Sequence, residues 1–122
     1  MKKQALNGRG WIRLVNASRC SLHGLRHIWR HEEAFRLECV LLAPGLVLAL
    51  VLGGTGCERA LLAGSLLLIP LVEILNTAVE CAIDRIGPEH HPLSGAAKDL
   101  GSTAVFLAIA MAVIIWILVL LG

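Results

Sequence analysis

Ala60–Ile83 reads ALLAGSLLLIPLVEILNTAVECAI. At about 1.5 Å per helical residue it is long enough to cross a hydrocarbon core of about 30 Å. Backbone groups in lipid must bond within their own segment, so the stretch is predicted to be a helix. It nevertheless contains Glu73, Asn76 and Glu80, with Asp84 just beyond, at spacing i, i+3, i+7 and i+11. At about 100° per residue these four fall within roughly 80° of one another. The helix is an oily cylinder with one acidic stripe. Each charge in a membrane helix costs about 2.5–3.5 kcal/mol on insertion scales, so a sequence that keeps two needs a use for them.

Two more apolar runs flank this one. The first spans Cys39 to about Gly53, and its membrane part can begin near Ala34, with Arg36 and Glu38 as its charges after that point. The other spans Ala104–Leu121 and has no charge. Three membrane helices are predicted, over about 33–53, 59–85 and 97–121. Pro44 and Pro70 fall inside two of them, where kinks are expected. Gly53-Gly54-Thr55-Gly56 separates the first pair of helices, and Ile86-Gly87-Pro88 ends the second. Ser94 or Gly95 is the expected N-cap of the third.

Upstream, Trp11, Leu14, Val15, Ser18, Leu22, Leu25 and Trp29 form one helical stripe, with Arg13, Arg19, His23, Arg26, His27 and Arg30 largely off it. Such a helix, over 11–30, is expected to lie in the membrane interface. Residues 1–10 read as a loose polar tail. The fold class is therefore all-α: a surface helix and three membrane helices in one domain over 1–122.

Composition agrees. Of 122 residues, 57% are hydrophobic and 16% charged, with a mean hydropathy of +0.75. Too little polar surface remains for a water-soluble globule of this size, and the apolar content excludes disorder. Residues 1–38 hold eight Lys and Arg against three Glu, and the remaining 84 residues hold three basic residues. That arm suits an anionic membrane surface. Nucleic acid is excluded as a partner, since no reader motif appears. The four cysteines, at 20, 39, 57 and 81, lack metal or redox spacing and read as small hydrophobes. No secretory signal is visible. The arm before the first span carries eight basic residues and the 85–98 loop carries Arg85 and Lys98, which puts the arm and the loop in the cytoplasm and the 54–59 turn and Gly122 outside.

The stripe suits phosphoryl transfer to a lipid alcohol. A carboxylate at the boundary can hold Mg²⁺ together with phosphate oxygens. One a turn or two deeper can take a proton from a hydroxyl arriving from the lipid side. Glu32, Glu33, Lys98, Asp99 and Ser102 are expected at the same boundary. The bland reading is a packing stripe whose acids pair with Arg or Lys. His31-Glu32-Glu33-Ala34-Phe35 is not a zinc-protease motif, and Gly53–Gly56 lacks the lysine of a P-loop. His90-His91 reads as a solvated loop pair.

The segment Val72–Glu80, followed by Asp84-Arg85-Ile86-Gly87 and Ala97-Lys98-Asp99, resembles the signature of the small bacterial diacylglycerol kinases. The likeness extends through Gly24-Leu25-Arg26 and Glu33-Ala34-Phe35-Arg36 and covers nearly the whole chain after residue 12. It implies a homotrimer in the bacterial inner membrane, with active sites between subunits at the cytoplasmic face. It also implies Mg²⁺- and ATP-dependent phosphorylation of diacylglycerol to phosphatidic acid. Carried over residue by residue, Glu73 matches the general base, supported by Asn76, and Glu32 and Glu80 match metal ligands that also meet ATP. Lys98, Asp99, Glu89, His90 and His91 match nucleotide contacts. Arg13, Arg26, Trp29, Arg59 and Ser102 fall at positions of lipid or phosphate contact, Arg13 being placed with the nucleotide as well. The chain departs from the pattern at Cys20, a nucleotide position where an aromatic is expected, and at His23, where a lysine is expected.

Three alternatives remain open on the sequence. One is a kinase of the same family acting on undecaprenol. Another is a small proton-coupled transporter with Glu73 as carrier acid, and the third is a passive subunit of a larger complex.

Overall fold

The computed structural model describes residues 9–122. The expected tail lies mostly outside the described residues. Among those described, every regular element is a helix: α1 (Trp11–His31), α2 (Glu33–Leu52), α3 (Gly56–Ile86) and α4 (Pro92–Leu121). The chain forms two compact units, one ending at Arg36 and the other Leu37–Gly122.

In the first unit, α1 realises the predicted amphipathic helix. Its apolar stripe faces outward, with Trp11 77% and Leu14 63% exposed, and only Ile28 on this helix is buried. The helix ends at Glu32, whose extended backbone breaks the run. Arg36 reaches back and donates from Nη1 to the Trp29 carbonyl at 2.6 Å and the Arg30 carbonyl at 3.3 Å. A cation there satisfies the orphan carbonyls of a helix end and opposes its dipole.

In the second unit, α3 and α4 form an antiparallel hairpin and pack along their length. α2, α3 and α4 are each long and apolar enough to cross a membrane. Both α2 and α3 run through their prolines, Pro44 and Pro70, without a break in helix. Small groups set the approach of α3 and α4: Ala108 and Ala112 on α4 are buried, as is Ser65 on α3. Without a hydrophobic driving force between helices in lipid, such close contacts and interhelical hydrogen bonds hold the pair. Trp116 supplies two such bonds, donating from Nε1 to the Leu62 carbonyl and to Ser65 Oγ, each at 3.2 Å.

The α2–α3 turn is tightly capped. Thr55 Oγ1 accepts from the Glu58 backbone N–H at 3.2 Å, and Glu58 Oε2 accepts from the Gly54 N–H at 2.6 Å. This is a variant of the capping box. At the other end of α3, Gly87 sits at φ 145°, a conformation that a Cβ would strain.

The expected N-cap of α4 needs correction. The helix starts with Pro92, and His91 is the cap, its Nδ1 accepting from the Leu93 N–H at 3.1 Å. Proline has no N–H to leave orphaned and a φ already suited to helix, so it wins the first position over Ser94 or Gly95.

Candidate active site

The acidic stripe of α3 is present as the spacing demands. Glu73, Asn76 and Glu80 are half-buried, and Asp84 is exposed at the end of the helix. Asn76 Nδ2 donates to Glu80 Oε1 at 3.4 Å. That bond fixes the amide's orientation and leaves Asn76 Oδ1 buried with no hydrogen-bond partner. The oxygen points towards Gly101 of α4, where an added Cβ would overlap it. Glycine at 101 is therefore what lets α4 come close over the stripe.

Further along the hairpin, Lys98 Nζ lies 2.8 Å from Asp84 Oδ1. Beside this pair, the α3–α4 turn opens into a cleft lined by Asp84, Glu89, His90, His91, Ser94, Gly95 and Lys98. Four of the predicted nucleotide residues thus share one cleft. Asp99 and Ser102 lie exposed within the next turn of α4. An ammonium can take a phosphate as a point charge, and an open polar cleft at a helix junction can admit a nucleotide.

The other predicted residues are elsewhere. Arg59 stands at the opposite end of α3, where its Nε donates to the Gly53 carbonyl at 3.2 Å. Fourteen residues separate it from Glu73, about 21 Å of helix rise. Arg13, Arg26 and Trp29 are exposed on α1, where Cys20 is half-buried. Glu32 is half-buried at the α1 C-cap, its backbone N–H donating to the Ile28 carbonyl at 2.9 Å.

Two residues are missing from the sequence-based site. Glu38, in the first turns of α2, has a buried Oε2 with no partner and lines an apolar cavity with Leu42, Leu66, Ile69 and Pro70. A buried carboxyl group among apolar spans is a candidate functional position by its cost, and its place at the start of the first apolar run was the available signal. Gly101 is the other, for the reason given above.

The donor set suits a hard cation. Glu80 offers carboxylate oxygen and is oriented by the Asn76 amide. Among the described residues no three His, Cys, Asp or Glu converge as a complete metal site. Mg²⁺ fits such a partial set, because it keeps several waters and commonly takes one or two carboxylates plus substrate phosphates.

Fold and site together define a multi-pass helical membrane protein with oxygen donors and a lysine gathered along one helical hairpin. Comparison with known proteins narrows this. The family described as prokaryotic diacylglycerol kinase matches residues 19–120. The chain is similar to the diacylglycerol kinase of Escherichia coli strain K12, with 47% identity over 116 residues covering 95% of each chain. It is 45% identical over 107 residues to the diacylglycerol kinase of Haemophilus influenzae, covering 88% of this chain and 91% of that one. It is also 41% identical over 113 residues to that of Pseudomonas aeruginosa, covering 93% and 92%. The chain belongs to the prokaryotic diacylglycerol kinase family, the family that its stripe and Lys98-Asp99 pair resemble.

Proposed function

We infer that the protein is a lipid kinase that transfers the γ-phosphate of ATP to the hydroxyl of diacylglycerol, giving phosphatidic acid and ADP. The observation that carries this reading is the continuous polar edge on α3 and α4. It runs from Glu73 through the Asn76–Glu80 contact to the Lys98–Asp84 pair, joining a lipid-depth carboxylate to an open polar cleft.

ATP lies in the cleft at the α3–α4 turn, with Lys98 drawn from Asp84 to the phosphates and Asp99, Glu89, His90 and His91 around the nucleotide. Glu80 and Glu32 are the residues that would hold Mg²⁺ beside the phosphates, and Asn76 keeps Glu80 in place. Bound Mg²⁺ supplies neutralisation of phosphate charge. Glu73 takes the proton from the lipid hydroxyl as that oxygen bonds to the γ-phosphorus and the bond to the β-phosphate oxygen breaks. Phosphoryl transfer asks mainly for positioning and charge stabilisation, which groups on rigid helices provide.

The exposed apolar stripe of α1 suits the bilayer interface, where Arg13, Arg26 and Trp29 meet the acceptor's polar end. The basic arm and the 85–98 loop are cytoplasmic, the membrane is the bacterial inner membrane, and the assembly is a homotrimer, as the family resemblance implies. The apolar faces of the spans leave room for that assembly.

Purified protein in detergent, given ATP, Mg²⁺ and diacylglycerol, is expected to form phosphatidic acid. Glu73→Gln is expected to lower turnover by about 10²–10⁴, the usual worth of a general base, with the helical circular dichroism unchanged. Normal turnover by that variant overturns the base assignment. Faster phosphorylation of undecaprenol than of diacylglycerol overturns the choice of acceptor.

A further inference from the structure

The surface helix carries a group of side chains that phosphoryl transfer does not use. His23, His27 and His31 occur at i, i+4 and i+8 on α1, which places them on one face, about 6 Å apart along the axis. All three are exposed. His27 and His31 touch: their ring centroids are 4.3 Å apart and their planes are inclined by 24°. Gly24, on the same side of the helix, leaves open space where a Cβ would stand.

The hydrogen bonding prepares one of these rings to ligate. His31 Nδ1 lies 2.8 Å from the His27 carbonyl oxygen. A carbonyl only accepts, so Nδ1 carries the proton and the lone pair of the neutral ring is on Nε2. A histidine that donates from one nitrogen to a backbone carbonyl and presents the other is the usual form of a metal ligand. Stacked rings aim their in-plane lone pairs along near-parallel planes, so the pair takes an ion by turning these exposed side chains out of the stack. Two histidines one helical turn apart on a single face can then converge on one ion, as they do in helical zinc motifs. Imidazole suits zinc, nickel and copper, whereas Mg²⁺ wants oxygen.

We propose that His27 and His31 form a binding site for a divalent transition metal (Zn²⁺, Ni²⁺ or Cu²⁺) on the surface helix, separate from the Mg²⁺ that serves the kinase reaction. Two protein ligands leave the other coordination positions to water, so the site exchanges its metal instead of locking it in a closed structural cage. Among these ions Cu²⁺ binds most tightly. The metal staples the last two turns of α1, just ahead of Glu32.

The test uses the full chain without a histidine tag, in detergent, with its thiols alkylated and no nucleotide present. One equivalent of Cu²⁺ is expected to give an electron paramagnetic resonance spectrum with nitrogen splitting from two imidazoles. His27→Gln and His31→Gln are each expected to lose the two-nitrogen pattern and to weaken Cu²⁺ binding at least tenfold, while His23→Gln keeps both. Kinase turnover of the His27 and His31 variants with Mg²⁺ and no added transition metal, within twofold of the parent's, shows that they are folded. The proposal is overturned if the two-imidazole signal persists in the double variant His27→Gln/His31→Gln, or if it disappears in His90→Gln/His91→Gln while those two histidines are intact.

Discussion

Lys98 Nζ rests 2.8 Å from Asp84 Oδ1, tying the last turn of α3 to the second turn of α4. Both side chains are substantially exposed, 45% and 67%, so the pair adds little to stability. Exposed ion pairs are worth about 0–1 kcal/mol. In the proposed reaction its value is to hold an ammonium at the mouth of the cleft until a phosphate replaces the carboxylate. Lys98→Met is therefore expected to reduce kcat/KM for ATP by roughly 10- to 100-fold, the worth of a hydrogen bond to a charged group. Thermal unfolding in detergent should move by less than about 1 kcal/mol. A large loss of stability with ATP kinetics unchanged would assign the lysine to structure.

Gly101→Ala tests the close approach of α4 to Asn76. Alanine is ordinarily better than glycine in a helix by about 0.5–1 kcal/mol. Here its Cβ would overlap Asn76 Oδ1, and overpacking costs about 1–3 kcal/mol. The clash decides the sign. The variant is expected to be less stable and to lose most of its turnover, because the displaced amide no longer holds Glu80. Asn76→Ala in the same chain should restore the stability and leave the activity low. An active, more stable Gly101→Ala protein would show that the amide has room to move.

At the far end of the hairpin, Trp116 bonds to the Leu62 carbonyl and to the buried Ser65. Interhelical hydrogen bonds in membranes average about 0.6 kcal/mol and reach about 1.7. Trp116→Phe is expected to cost within that range and to leave ATP and lipid kinetics unchanged, since the site lies towards the other end of α3. A double-mutant cycle with Ser65→Ala measures the pair directly. Zero coupling would mean that the Leu62 carbonyl carries the whole effect.

The elements themselves were legible because lipid leaves the backbone so few choices. Any run as apolar as Ala104–Leu121 has to be a helix, and a 3.6-residue period then places Glu73, Asn76 and Glu80 on one edge without reference to anything else in the chain. What the chain conceals is whatever depends on a neighbour. Asn76 and Gly101, or Ser65 and Trp116, are far apart in sequence, and no periodicity in one helix tells which residue of the other will face it. The start of α4 was hidden differently. His91 is a poor cap by residue type, and only its placement before Pro92 makes its ring nitrogen the nearest acceptor for the Leu93 N–H.

The native cysteines offer a test of orientation. Cys57 is exposed in the first turn of α3, and Cys20 is on α1. Eight basic residues precede the first span, whereas the turn at 54–59 has Arg59 countered by Glu58. Positive charge near a span is retained in the cytoplasm, so α1 is expected inside and the turn outside. A chain whose single thiol is Cys57 should react with a membrane-impermeant maleimide in intact spheroplasts and be protected in inverted vesicles. A chain retaining Cys20 alone should show the reverse, more slowly because that side chain is half-buried. If Cys57 reacts only in inverted vesicles, then Lys98, the cleft and the basic arm all face away from cytoplasmic ATP, and the kinase reading fails with the topology.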